Sequence, residues 1–462
     1  MNKIIIIIVL LFITYSTNYS QWKEYTIGGT ITIGQFTINP VFRDIVYAAQ
    51  HNQSWFYWST NRGETWDSVH VFEQVKNFGA NIKSIIVNPN NRNEILIAPT
   101  YEPSPICRST DGGKTWKAVY EGAFVNSESM IYHPLQPNYV FAAINDVGQV
   151  NKRHGYVLRS TDSGITWDTV ARVREQFEMD FTCGIDVNVK TGYIFVGGHG
   201  GKIIRSTDMG TTWSVVLKHD SGYTENKVPM IRFSKKNPDI GFATHRVPNE
   251  VRPAGGLWKT TDGGTTWNLL EKFANTSMWA LDVLDVGNDI EVACANFGQY
   301  RKNTIIWHSN DAGNTWKELP KINYSYPFPD SIYPLEIETI KLTPRTTKYG
   351  KRSMFVVTSG LGLYSYEELL GDVALSDDES ITDSDVRISI TTQGEVQIRS
   401  KHEHLTNSFM VYDMLGREVV GNKILNGLME ETIPMPELTT GMYLFVVRTV
   451  HGNVSLPVII DN

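Results

Sequence analysis

Three sets of residues in this 462-residue chain are of a type and spacing that could do chemistry. The first is built on arginine. His245-Arg246-Val-Pro-Asn-Glu250-Val-Arg252 puts two guanidinium groups in one short segment, and Tyr300-Arg301 adds a third. Guanidinium forks grip carboxylates by paired hydrogen bonds, and a tyrosine activated by a carboxylate can attack an anomeric carbon. The second set is acidic. Asp180, Asp282 and Glu338 could supply the two facing carboxyl groups of a glycosidase, but their spacing selects no pair. The third is His402-Glu-His404, whose imidazoles alternate as metal ligands on a strand would, with no third ligand in view. We read it as a solvated loop and expect neither metal nor cofactor. His199 stands between Gly197-Gly198 and Gly200-Gly201 and marks a tight turn. No helix follows these glycines, so they are not a phosphate loop. No Gly-x-Ser-x-Gly elbow occurs.

Composition narrows the classes. Lys and Arg number 42 and Asp and Glu 49, a net charge of −7, which argues against nucleic-acid or anionic-membrane binding. A 41% share of hydrophobic residues is enough for a packed core. Cys107, Cys183 and Cys294 are too few and too scattered for a disulfide framework, so we expect three buried free thiols. Met1-Asn2-Lys3 followed by the apolar run Ile4 to Ile13 reads as a secretory signal peptide, residues 1–20, cleaved near Ser20–Gln21. That run is too short to span a bilayer, and no later stretch is long and apolar enough. The mature chain is therefore expected to be exported, without a transmembrane segment.

The elements that must position these residues come from a repeat. Ser59-Thr-Asn61-Arg-Gly63-Glu-Thr65-Trp66 returns with Asp111, Asp162, Asp208, Asp262 and Asp311 in place of Asn61. The tryptophans fall 50, 51, 46, 54 and 49 residues apart. A period near fifty signals a stacked array or a propeller. Each period holds short alternating apolar runs separated by polar turns, such as Ile82–Val87, Ile95–Ala98 and the run into Ser109, which reads as a four-stranded antiparallel meander. The motif itself suits a hairpin tip. Its Asp or Asn can accept hydrogen bonds from N–H groups two residues on, its glycine permits positive φ, and its Trp opens the fourth strand and covers the hairpin.

The Ser/Thr-x-Asp-x-Gly-x-Thr-Trp motif resembles the Asp-box, or bacterial neuraminidase repeat, of sialidases, xyloglucanases, sortilin-type ectodomains and photosystem II assembly factors. The resemblance implies a β-propeller with the box between the third and fourth strands of each blade, at the periphery and away from any active site. It implies no single activity, because unrelated activities share the box. The sialidase Arg-Ile-Pro signature is missing, and Phe42-Arg43-Asp44 is the nearest approach. Three runs without a box follow the last repeat, Ile337–Pro344, Met354–Ser359 and Gly360–Glu367. Gln21–Ile27 resembles the strand after a box and could supply the fourth, closing a seven-bladed ring without an open edge. A six-bladed ring is the alternative.

Residues 371–384 read as an acidic linker between a propeller over 21–370 and a unit over 385–462. Val386–Thr391, Val396–Ser400, Phe409–Tyr412 and Tyr443–Thr449 read as strands of a small immunoglobulin-like sandwich, with a turn at Asp413 to Glu418. Val411-Tyr-Asp-Met-Leu-Gly416-Arg and Leu438-Thr-Thr-Gly441-Met-Tyr443 resemble type IX secretion sorting domains. That resemblance implies the type IX machinery as partner and a secreted or outer-membrane-surface location. The fold expected is all-β. In a propeller, ligands meet the face built from the loops that enter the first strand and join the second to the third. On that face we place His199, His245, Arg246, Arg252, Trp279, Tyr300 and Arg301. The expected role is a binding scaffold for a glycan or protein ligand, and the alternative is an exo-acting, sialidase-like glycoside hydrolase.

Overall fold

The computed structural model describes residues 22–366 and 386–460, save short stretches of which the longest are 147–153, 220–225, 248–254, 298–303, 323–335 and 434–440. The leader and the acidic linker expected from sequence lie outside the described residues, as does His402-Glu-His404.

Within 22–366 the chain makes seven four-stranded antiparallel sheets. Sheet 1 runs Ile33–Ile38, Val46–Gln50, Trp55–Ser59 and Asp67–His70. Sheets 2 to 6 repeat this meander over 82–123, 130–172, 182–218, 231–269 and 278–318. Sheet 7 takes Ile337–Thr346, Arg352–Thr358 and Gly362–Tyr366, and its fourth strand is Trp22–Tyr25, which pairs Trp22 with Tyr366 and Tyr25 with Leu363. The first strand of each sheet touches the first strand of the next, and that of sheet 7 touches that of sheet 1. Ring closure by an N-terminal strand pairs the outer edge of Gly362–Tyr366 and ties the start of the propeller to its last sheet.

An apolar cluster fills every gap between neighbouring sheets. At the closure, Phe36 and Tyr57 of sheet 1 meet Phe355 and Val357 of sheet 7. The alternation along each strand produces these clusters, because successive side chains face opposite neighbouring sheets. Among the described residues helix is confined to Val71–Gln74, Val173–Phe177 and one turn at Glu271–Phe273. The three thiols are buried and free, as their scatter required.

The boxes are hairpin tips, with one correction to their bonding. In the second box Asp111 accepts from N–H groups three and four residues on, Lys114 at 3.0 Å and Thr115 at 2.9 Å, not two. Its other oxygen accepts from the Thr115 hydroxyl at 2.6 Å. The position two residues earlier, Ser109, donates to Asp111 and accepts from the N–H of Gly113. Trp116 closes the turn by donating to the Gly113 carbonyl at 2.9 Å. The fourth strand then starts one residue after the Trp, at Lys117, and not at it. Gly113 has φ +96° and also lies flat on the preceding sheet, where a Cβ would stand 2.4 Å from Phe56. Gly164 packs so on Leu96, Gly264 on Phe195 and Gly313 on Phe242. The glycine is thus required by contact as well as by backbone angle. Sheet 7 has no box because its third and fourth strands are not consecutive in the chain.

Residues 386–460 hold a three-stranded sheet of Val386–Ile390, Val396–Ser400 and Glu430–Ile433 and a four-stranded sheet ordered Glu418–Ile424, Thr406–Asp413, Gly441–Thr449, Gly452–Ile460. The turn after Asp413 is closed by Arg417, whose N–H donates to the Asp413 carboxylate at 2.9 Å.

Candidate functional site

A meander puts its first-to-second and third-to-fourth connections at one end and the others at the opposite end. Box turns accordingly bond to the first turn of their own sheet: Gly112 donates to the Asn93 carbonyl at 3.0 Å and Ser163 to that of Asn138 at 2.8 Å. The loop end lies opposite, and the described site residues divide there into two groups.

Arg246 and Trp279 come together. Arg246 follows the strand Gly241–His245 and is fixed by a two-way backbone bridge to Lys227, at 2.8 and 2.9 Å. The next N–H, of Val247, donates to Ser277 at 3.1 Å. So held, the guanidinium carbon lies 3.9 Å from the ring centre of Phe297 and 5.5 Å from that of Trp279. Trp279 is buried, and among the described residues its Nε1 has no hydrogen-bond partner. A guanidinium stacked on aromatic faces is held in a fixed plane and keeps its positive charge. Glu336 sits within electrostatic reach. Burial and the neighbouring Glu338 push its carboxyl up to about 7, against Arg246 and Lys83, which pull it down.

His199 and His245 are wall rather than mouth. His199 is buried against Phe181, ring centres 4.5 Å apart. His245 is 1% exposed and edge-on to His219 at 4.9 Å. Burial first, then His219, pushes its imidazole down to about 3, so it is neutral and not a base near pH 7. The turn at Gly200-Gly201 has φ +71° and +61°, the tight turn expected. Arg252, Tyr300 and Arg301 lie outside the described residues.

Below the mouth the channel is lined by charge. Every sheet sends one or more polar side chains inward from its first strand or just before it: Gln35, Lys83, Glu128, Asp186, Arg232, Asp282 and, from sheet 7, Glu338, Thr339 and Lys341. Glu128 takes both Arg232 and Lys341. Burial alone would raise its carboxyl, but these two cations outweigh it and hold it low. Asp282 accepts from the Leu342 N–H at 2.7 Å and Asp186 from that of Phe233 at 2.8 Å. Burial raises both, against the pull of Arg232 on each and of Lys341 on Asp282, so three carboxylates here share two cations. Lys83 pairs with Glu338, their side chains 11% and 8% exposed. The three carboxylates singled out from sequence therefore sit in different surroundings. Asp282 is in the channel, Glu338 is paired, and Asp180 is half-exposed beside Arg174 at 3.4 Å. Sequence reasoning missed Phe297, Glu336 and most of the network, because each is a lone residue on a different sheet. Among the described residues no group of three metal-ligating side chains occurs, and no helix is long and apolar enough to cross a membrane.

Comparisons with known proteins agree with this architecture. Residues 108–118 match the BNR/Asp-box repeat, residues 155–304 the family described as sortilin, neurotensin receptor 3, and residues 392–461 the secretion system C-terminal sorting domain. The xyloglucanase Xgh74A of Acetivibrio thermocellus is 28% identical over 184 residues, 33% of this chain. The chain spans 21% of that relative's length. The GH74 xyloglucanase from Xanthomonas campestris superposes with a TM-score of 0.56 at 16% identity, over 92% of this chain and 59% of the other. An ancestral GH74 enzyme gives 0.57 at 15%, over 95% and 64%. YCF48 from Cyanidioschyzon merolae gives 0.50 at 16%, over 75% and 99%. At these identities the structural likeness is one of fold. The chain is an Asp-box β-propeller protein ending in a type IX secretion sorting domain, which marks it for export to the cell surface or extracellular space.

Proposed function

We propose that this exported propeller is a binding scaffold whose loop end takes an acidic glycan or an acidic segment of another protein at Arg246. Residues 21–370 form the binding unit in this reading, 371–384 the linker and 385–462 the sorting unit. The observation that carries it is how the charges are disposed. In the channel Glu128 and Glu338 are taken by cations, and Asp186 and Asp282 by backbone N–H groups. The guanidinium of Arg246 rests on two aromatic rings at the mouth, with Glu336 within electrostatic reach. Such a site grips an anion without an acid–base pair poised across a bond.

A second reading, an exo-acting glycoside hydrolase, has one observation in its favour. Glu336 is pushed up to about 7 beside Glu338, and split carboxyls of this kind serve as acid and base. They stand two residues apart on one chain segment, however, rather than on opposite sides of a cleft, and Glu338 is held by Lys83. The test incubates the full exported chain with sialylated glycans and xyloglucan and looks for released sugars by mass spectrometry, with titration calorimetry of the same glycans alongside. Binding without release supports the scaffold. Released sugar, lost in Glu336→Gln, would replace it with the hydrolase.

A further inference from the structure

The four-stranded sheet of the tail is buried on both faces. Phe409 and Val411 pair across with Val447 and Phe445, and all four are fully buried. Met410 and Tyr412 pair with Val446 and Leu444 and point the other way, yet Met410, Tyr412 and Val446 are only 4%, 5% and 1% exposed. A sheet in a two-layer unit needs cover on one face only. On the second face the guanidinium carbon of Arg92 lies 5.9 Å from the Tyr412 ring centre. Arg92 belongs to the propeller. It opens the strand Asn91–Pro99 of sheet 2, at the box end, one residue before the Asn93 carbonyl that holds the box turn. Its charge is partly buried, with Tyr47, Tyr412 and Asp413 within electrostatic reach.

Topology points the same way. The third strand of every sheet runs toward the box end. In sheet 7 that strand, Gly362–Tyr366, has no hairpin after it, so the chain leaves the ring at the box end. Nineteen residues, 367–385, then lead to Val386, a reach of up to about 60 Å if extended.

We infer that the box end of the propeller is a docking surface for this chain's own sorting domain, with Arg92 seated on the Tyr412 face. The loop end then faces away from whatever holds the tail, whatever ligand it takes.

Hydroxyl-radical footprinting of the full exported chain tests this, because Met and Tyr oxidise readily once exposed. Arg92→Glu should raise modification of Met410 and Tyr412 about tenfold, and should lengthen the maximum dimension seen by small-angle scattering. Met230 and Met278, buried in sheets 5 and 6, should stay protected and report an intact ring. Arg92→Lys, which keeps a cation over the ring, should retain most of the protection. If Arg92→Glu unprotects Met230 and Met278 too, Tyr412→Leu makes the same test from the tail side. Wild-type modification of Met410 and an unchanged scattering profile in the variant that keeps its ring would overturn the inference.

Discussion

At the box end eight residues recur six times with nearly the same bonds, whereas at the loop end Arg246, Phe297, Trp279 and Glu336 meet once. The first arrangement is closed within each turn: every oxygen of Asp111 is already taken by its own hairpin. The second is assembled from three sheets, with the Arg246 guanidinium stacked on Phe297 and Trp279 and Glu336 within electrostatic reach. A repeated, self-satisfied motif stabilises a ring, and a unique, converging one can select a ligand. Substitutions at the two ends should therefore separate stability from binding.

The largest stability effect should come from neither end but from the channel between them. Glu128→Leu removes the carboxylate that pairs directly with both Arg232 and Lys341 in a poorly solvated space, leaving them only the more distant Asp186 and Asp282, and urea denaturation should show a loss of about 3–5 kcal/mol. Replacing Glu128, Arg232 and Lys341 together by apolar residues should recover little of it, because the buried Asp186 and Asp282 then lose the cations that offset their desolvation. Next in size is the box glycine. Gly113→Ala meets Phe56 at 2.4 Å and must also hold φ +96°, so about 2–4 kcal/mol should be lost. Gly122→Ala is the control, with φ +79° and no atom within 4 Å of the new Cβ, and should cost about 1 kcal/mol. Equal losses in the two would mean that the box glycines serve backbone angle alone.

The same contrast explains what could be read from sequence. The hairpins were legible because their chemistry is local and repeated six times. The closing strand was legible because Trp22-Lys-Glu copies the residues after a box, Trp316-Lys-Glu. The strands Glu430–Ile433 and Gly452–Ile460 were not anticipated, since no repeat brackets them. The channel network was invisible for a plainer reason. Glu128, Arg232 and Lys341 are over a hundred residues apart, and only ring closure makes them neighbours. Arg246 could be placed on the right end by loop order, but Phe297 and Glu336 could not, because an aromatic or acid near a loop has no sequence signal for convergence.

Smaller effects sharpen the comparison. Arg246→Ala should weaken binding of an acidic glycan by about tenfold to thirtyfold in calorimetry while moving the denaturation midpoint little, as an unrepeated surface contact does. At the box end, burial would raise the carboxyl of Asp162, but hydrogen bonds from Thr166, Ser160 and the Ile165 N–H outweigh it and hold it down at about 2. A depressed carboxyl contributes stability that is present above its unfolded value near 4 and lost as pH falls toward 2. Asp162→Asn should flatten part of that acid limb. The step should be under about 1 kcal/mol, since the group is largely exposed and screened. Binding at Arg246 should not change.

Glu336 gives the finest test, because it ties the loop end to pH in the opposite sense. Its carboxyl stands at about 7, raised by burial and by Glu338. As pH rises from the unfolded value near 4.5 to 7 the folded chain holds the extra proton, so this group's contribution to stability falls across that window. Above 7 the new charge lies near Arg246 and competes with any anionic ligand for it. Affinity for an acidic glycan should therefore be greatest below pH 7 and drop about threefold to tenfold as pH rises through it, less at high salt. Glu336→Gln should bind well at both ends of that range with a flat profile. Lys83 and Glu338, the other charges facing Glu336, form an ion pair with each other, and a slope that survives in Glu336→Gln would have to come from a group other than Glu336. In that case Arg246 would be an anion site without a built-in competitor, and the loop end would be as indifferent to neutral pH as the boxes are.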